Sequence, residues 1–294
     1  MKILQSGAPK CGNFWLYQII QKTLQRTDQP STSYIEQHPI YQLAKTWDLN
    51  FPDQAKIDVL EITDLQLSYR ISSVFQMPIL DLPDYLSKTN HIWTHSPVCK
   101  RSGEIFRQMD KIVYIIRDPR DRAISAAKYY CSDYMLKYFP QEERDPSRYL
   151  FKNFDRFMNE WVWHVWDHLR LSKKYNIHIT FYENWLDDFQ NELKYLLDYF
   201  GLSLNEKQKA ILEDELSFDT LKERNPNHLR KGISGDWLDV LTEEQVARAE
   251  TLAGPLMDYL NYGLNRPAFR SQSADVQIFE DIKEELIQNQ KFLY

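Results

Sequence analysis

Residues 2–25 read "KILQSGAPKCGNFWLYQIIQKTLQ". Lys2 to Ser6 form a short, apolar-leaning run with strand character. From about Asn13 to Gln25 the apolar residues recur at helical spacing. Between the two lies a loop containing Gly7, Pro9, Lys10 and Gly12. A strand that turns through glycine into a helix N-terminus suits a phosphate group, because backbone N–H groups and the positive helix end converge there. A loop that binds a nucleoside triphosphate would end in Gly-Lys-Ser/Thr, the hydroxyl serving magnesium. Here Lys10 lies inside the loop and Cys11, Gly12, Asn13 and Phe14 follow it, so that hydroxyl is missing. The expected ligand is an anion that uses a lysine without the magnesium-binding hydroxyl. Taken alone, the stretch also fits an exposed basic turn.

Further strand and helix patterns alternate along the chain. "RTDQPSTSYIEQHP", from Arg26, reads as a polar connection. "HIWTHSP" from His91 has strand character and stops at a Ser-Pro turn. "KIVYIIRD", Lys111 to Asp118, is a continuous apolar run ended by charge, the pattern of a buried parallel strand. Asp118 and Pro119 then open a helix carrying Ala123, Ile124, Ala126 and Ala127. A long helix is expected from about Ser147 to Lys174. Phe154, Phe157, Met158, Trp161, Val165 and Leu169 share one of its faces, and Trp163 and Trp166 lie elsewhere. "NIHITFYE" reads as a strand, and "DDFQNELKYLLDYFGL" as a helix ending at Gly201. Helices are also expected near Glu206–Glu213 and Thr242–Asn261. The alternation predicts an α/β fold, a mostly parallel sheet with helices on both faces. Val276, Phe279, Ile282, Leu286 and Ile287 give residues 268–294 an amphipathic helical tail, packed on its own domain or at a contact in a homodimer.

The whole chain has 294 residues, 43% hydrophobic and 27% charged, an ordinary soluble composition. Its net charge of −6 disfavours general nucleic-acid binding while leaving room for a local basic pocket. Three scattered cysteines form neither a disulfide framework nor a zinc pattern, and imply a reducing compartment. No signal peptide and no transmembrane run is visible, so a cytoplasmic location is expected. Aromatics reach 14%, which serves a core or the lining of an apolar ligand pocket. Tyr129, Tyr130, Tyr134 and Tyr138, and Trp161, Trp163 and Trp166, are candidates for either role.

Two more stretches bear on chemistry. "YIIRDPRDRAIS" sets Arg117 at the carboxyl end of a buried strand and Ser125 eight residues on, inside the next helix. Ligands of open parallel sheets bind at carboxyl strand ends, and an arginine fork suits phosphate. "RKGISGDW", Arg230 to Trp237, crowds two cations and two glycines into one loop. By itself the first is compatible with a surface ion pair and the second with a basic turn.

Together with the opening loop, these stretches resemble the cytosolic sulfotransferase family, which uses 3′-phosphoadenosine 5′-phosphosulfate (PAPS) and releases 3′-phosphoadenosine 5′-phosphate (PAP). "PKCGNFW" resembles its 5′-phosphosulfate loop, "YIIRDPRDRAIS" its 3′-phosphate strand and helix, and "RKGISGDW" its Arg-Lys-Gly-x-x-Gly-Asp-Trp loop, in family order over Lys2 to about Asn265. The resemblance implies a P-loop-like three-layer α/β/α domain over residues 1–267. It implies that Lys10 stabilises the departing phosphate and that His95, in "WTHSP", is the catalytic base. The 5′-phosphosulfate would lie on the loop of Lys10, Cys11, Gly12, Asn13 and Phe14. Trp15, Tyr182 and Phe218 would flank the adenine, and Arg117, Ser125, Arg230, Lys231 and Gly232 would hold the 3′-phosphate. No metal is expected. The acceptor would be a hydroxyl, or an amine, on a small molecule, lipid or glycan.

Three positions depart from the family pattern. Asn13 and Phe14 stand where two threonines are usual, and Trp93 replaces the lysine before the base segment. The chain begins directly on its first strand, and a more open acceptor pocket is expected from that. The departures motivate one alternative, an inactive scaffold that binds PAP or PAPS. A P-loop nucleotide phosphotransferase is another.

Overall fold

The computed structural model describes residues 1–51, 53–224, 232–263, 266–269 and 276–291. Its strands are β1 (Ile3–Ser6), β2 (Val59–Ile62), β3 (Leu67–Ile71), β4 (Phe75–Pro78), β5 (His91–Thr94), β6 (Lys111–Ile116) and β7 (Ile177–Phe181). They hydrogen-bond in the order β4-β3-β2-β5-β1-β6-β7. β5 runs parallel to both β1 and β2, while β2–β3 and β3–β4 are antiparallel. The sheet is therefore mostly parallel with an antiparallel margin, and helices flank it in an α/β architecture. The chain divides into two units: residues 1–6, 12–113 and 188–232 form one, and residues 7–11, 114–187 and 233–294 the other.

In the first unit, β1 and β5 are wholly buried. Their register pairs Ile3 with His91 and Ser6 with Thr94, so the two strands end side by side. The Asn13–Arg26 helix follows β1, and Gly12 precedes it at φ 91, in the left-handed region where a residue without Cβ is unstrained. Residues 26–39 were expected to be a plain connection. Instead they include a one-turn helix, Tyr34–Gln37, capped by the Ser33 hydroxyl. Beneath that turn the buried Asp58 carboxylate accepts the N–H groups of Tyr34 and Ile35 at 2.8 and 3.0 Å. The partner that stabilises this turn lies 24 residues away, outside any local pattern. The Phe189–Phe200 helix ends at Gly201, φ 70, as the glycine there predicts.

The second unit is built on the Pro146–Tyr175 helix. Asp145 caps its start, Pro146 occupies the first turn, and Asn176 ends it at φ 50. Ala123, Ala126 and Ala127 of the Pro119–Tyr130 helix are buried against its Phe154, Phe157 and Met158, with Ala249 and Leu252 of the Glu243–Tyr259 helix completing the cluster. Small residues on one helix let the large ones of the next approach. The terminal helix, Val276–Lys291, buries Phe279, Ile282 and Leu286. Its Phe279 carbonyl accepts the Trp166 indole N–H at 2.8 Å, and its Phe279 ring meets Tyr259 edge-on at 5.4 Å. No helix among the described residues is long and apolar enough to cross a membrane.

Candidate functional site

The second unit carries a group of cations around the end of β6. Arg117 is the first residue past the strand and is only 6% exposed. Asp118 caps the following helix by accepting the Arg120 N–H at 2.8 Å. The Arg117 guanidinium carbon lies 4.4 Å from the centroid of the Tyr182 ring, a cation–π arrangement. Its Nη2 donates to the Ile233 carbonyl at 3.1 Å and its Nη1 reaches the Lys10 carbonyl at 3.5 Å. The buried Nε has no hydrogen-bond partner among the described residues. A buried guanidinium N–H without an acceptor is costly, and an oxyanion is the acceptor that such a donor fits best.

Lys10 adopts φ 72, a left-handed conformation unusual for a lysine. Its ammonium stands 4.2 Å from the centroid of Tyr129, so that tyrosine carries the lysine. The loop carrying Lys10 is held from behind. Arg122, almost fully buried, donates to the Pro9 carbonyl at 2.9 Å, to the Phe157 carbonyl at 2.6 Å and to Glu160 at 3.1 Å. Cys11 is fully buried, and burial pushes its thiol up to about 11, with Arg122 and Arg117 partly offsetting this. It stays a neutral thiol near pH 7, so its contribution to the loop is its backbone rather than a nucleophile. Ser125 sits half-buried on the Pro119–Tyr130 helix.

Two acids organise the surroundings, and neither stood out in the sequence. Asp121, fully buried, accepts the N–H groups of Gly235 and Trp237 at 2.7 and 2.9 Å, tying the segment from Ile233 onward to the helix after β6. Glu183 accepts the Asp118 N–H at 2.8 Å and the Tyr262 hydroxyl at 3.1 Å. Burial raises Glu183 to about 7, the nearby Asp118 carboxylate adding to the effect. The "DPRDR" run from Asp118 showed that charges cluster here, but not which of them face inward. Arg120 pairs with Asp118 at 2.7 Å and covers the Trp237 ring at 3.7 Å.

The first unit carries the aromatic residues. Trp15, on the first turn of the Asn13–Arg26 helix, donates its indole N–H to the Leu216 carbonyl at 2.9 Å and lies 6.4 Å from Phe189. Phe218 opens the Phe218–Arg224 helix, and its ring lies against Gly232, φ 64, so closely that a methyl group there would run into it. Arg230 and Lys231 lie outside the described residues. Asn13 is buried, its carbonyl accepting from Gln5 at 2.6 Å. Phe14 and Trp93, two of the departures from the family pattern, join one buried cluster with Tyr17, Phe51 and Ile57. Phe14 meets Phe51 edge-on at 4.6 Å. The Trp93 ring also stands 5.3 Å from His95 at 69°, forming one wall beside that imidazole.

Of the tryptophans of the long helix, Trp163 is half-buried and meets Trp166 edge-on at 6.1 Å. Trp161 is fully buried and donates to the Arg117 carbonyl at 2.8 Å, and Trp166 is buried on the terminal helix. Tyr130 stacks with Phe157 at 6.2 Å as part of the same core.

Residues 1–260 match the sulfotransferase domain family. The chain belongs to that family. Among curated relatives, mouse (Mus musculus) Sulfotransferase 2A6 is 24% identical over 174 residues, 52% of this chain and 58% of that protein. Bovine (Bos taurus) Sulfotransferase 1A1 is 29% identical over 175 residues, 52% of this chain and 56% of that protein. The chain thus spans little more than half the length of these curated relatives. Among solved structures, mouse sulfotransferase SULT7A1 complexed with PAP aligns with a TM-score of 0.59 at 19% identity, covering 98% of this chain and 88% of that one. Retinol dehydratase in complex with androsterone and PAP gives 0.55 at 18%, covering 92% and 82%. These likenesses establish a sulfotransferase fold. Among the described residues, no three His, Cys, Asp or Glu side chains group in a way that could hold a metal ion.

Proposed function

We propose that this sulfotransferase-family chain moves a sulfuryl group from PAPS to the hydroxyl, or amine, of an acceptor, leaving PAP. The observation that carries this is the buried Nε of Arg117, without a hydrogen-bond partner among the described residues, in a guanidinium lying over the Tyr182 ring at the end of β6. It is a donor suited to a phosphate beside an aromatic face suited to a purine. Bound PAPS would supply an activated sulfuryl group on a phosphate–sulfate anhydride. The S–O bond to the acceptor forms as the S–O bond to the 5′-phosphate breaks, and the acceptor's proton passes to His95. Lys10 lends its charge to the phosphate oxygen as negative charge builds there. Arg117, Ser125, Arg230, Lys231 and Gly232 hold the 3′-phosphate. Trp15, Tyr182 and Phe218 flank the adenine. The backbone from Cys11 to Phe14 supports the 5′ end, with charge handled by side chains rather than by a metal. The acceptor is a small molecule, lipid or glycan met in the cytoplasm.

A second function is favoured by one observation: Phe14 and Trp93 place apolar bulk in one cluster where the family pattern has polar groups. On that alternative the chain binds PAP without transferring sulfate. Calorimetric titration with PAP, with AMP as control and chelator present, tests the donor site. Tight binding that needs the 3′-phosphate is expected, and equal binding of AMP would overturn it. Transfer from PAPS across an acceptor panel then separates the enzyme from the scaffold.

A further inference from the structure

Two adjacent residues of the chain grip two others. Arg117 and Asp118 follow β6 and lead into the Pro119–Tyr130 helix, and Tyr182 and Glu183 open the Tyr182–Asp187 helix directly after β7. The Tyr182 ring lies under the Arg117 guanidinium at 4.4 Å, and Glu183 Oε1 accepts the Asp118 N–H at 2.8 Å. Glu183 Oε2 is itself held, accepting the Tyr262 hydroxyl at 3.1 Å. On the other side, the Arg117 carbonyl accepts from Trp161 at 2.8 Å. The peptide unit that joins Arg117 to Asp118 is therefore pinned at both its carbonyl and its N–H by side chains from elsewhere in the unit. We propose that Glu183 is a positioning residue for Arg117. By holding the Asp118 amide it fixes how the chain leaves β6, and through its neighbour Tyr182 it sets the ring over which the Arg117 guanidinium lies.

Both Glu183 oxygens act as acceptors, which is the hydrogen-bonding pattern of a carboxylate. Burial, and secondarily the Asp118 carboxylate, oppose that charge; the Asp118 N–H and Arg117 favour it, and the balance lies at about 7. The titratable and charged groups facing Glu183 are Asp118 and Arg117 after β6, Tyr262 after the Glu243–Tyr259 helix, and Cys11 in the opening loop. Glu183 thus changes charge near neutrality, next to the residue whose geometry it sets.

The proposal rests on the donor-site reading of Arg117, but its first test needs no nucleotide. The arginine Nε–Hε resonances of the full-length free protein are followed by ¹H–¹⁵N NMR, with Arg117 assigned by its loss in Arg117→Lys. In the wild type a narrow Arg117 resonance should move with pH around neutrality. In Glu183→Gln it should stay narrow and lose that titration, because the amide still accepts from Asp118 but carries no charge. In Glu183→Ala it should broaden or collapse onto the exposed arginines. An Arg117 signal that still titrates in Glu183→Gln, or that keeps its wild-type position and width in Glu183→Ala, overturns the proposal. Should Glu183→Ala not fold, Glu183→Gln decides alone. The second readout is the ratio of PAP to AMP affinity. It should fall about tenfold in Glu183→Ala and stay within about threefold in Glu183→Gln, one charge-assisted hydrogen bond being the difference. If the wild type does not prefer PAP to AMP, the donor-site reading fails, and the resonance still decides the role of Glu183.

Discussion

The Arg117 guanidinium carbon lies over the Tyr182 ring, 4.4 Å from its centroid, across 65 residues of sequence. Nε is buried beside that ring, which ties the proposed 3′-phosphate and adenine contacts to one pair of residues. Replacing Arg117 by alanine should weaken PAP binding by about tenfold or more while leaving AMP binding little changed. Arg117→Lys should recover only part of this, since a point charge lacks the planar fork and the stack. Equal losses for PAP and AMP would place the 3′-phosphate elsewhere.

Lys10 and His95 are proposed for the leaving-group and base roles. Lys10→Ala and His95→Ala should each lower turnover roughly a hundredfold or more, with folding retained by circular dichroism. Single-turnover assays with saturating PAPS separate loss of chemistry from loss of binding, and near-normal turnover in either variant removes that residue from its role. Tyr129→Leu removes the ring beneath the Lys10 ammonium and should raise the KM for PAPS more than it lowers kcat.

Gly232 sits at φ 64 against the Phe218 ring. Gly232→Ala should therefore cost about 1–3 kcal/mol of backbone and steric strain and displace the ring. Thermal melting reads the first effect and PAP titration the second. A variant with unchanged melting temperature and affinity would show that this contact does not persist in solution.

Phe14 and Trp93 share one buried cluster, so their effects should not add. Phe14→Ala should cost roughly 3 kcal/mol in denaturant unfolding, as large-to-small changes in aromatic cores do. Trp93→Lys should also destabilise, by putting an ammonium among Tyr17, Phe51 and Ile57. Additive losses in the double variant would mean that the two residues pack independently.

Glu183 also links stability to pH. Burial raises its folded-state value above the ordinary 4.5 of a glutamate to about 7, so the folded protein binds the proton more tightly than the unfolded chain. The associated stabilisation is complete below about pH 4.5 and is lost as pH rises through about 7, with a ceiling of roughly 3 kcal/mol. Glu183→Gln should flatten that part of the stability profile. A wild-type profile that instead rises across the window, with no difference from the variant, would contradict the assignment.

Much of the framework around the proposed donor site follows from short-range pattern. The strand–loop–helix at the start, the buried run of β6 with its Asp-Pro helix opening, and the glycine after Phe200 each depend on residues within a few positions of one another, so composition and spacing suffice. The antiparallel margin escaped notice for a local reason as well. The β2–β3 turn, Thr63 to Gln66, contains no glycine, and the β3–β4 turn uses Ser72 at φ 52. The usual hairpin residues are missing at both places.

The sequence by itself determined the family, the order of the stretches proposed to bind phosphate and the identity of the charges at the end of β6. Only the tertiary structure decided how those charges are used. Arg122 is taken up in holding the Pro9 carbonyl, 113 residues distant; Asp121 holds Gly235, 114 residues distant; and Glu183 holds Asp118, 65 residues distant. Neighbouring aspartates and arginines look interchangeable in a linear string. Which one faces a ligand and which one supports the loop depends on the backbone amides and carbonyls that folding brings within 3 Å, since a buried charge is tolerated only where such partners await it.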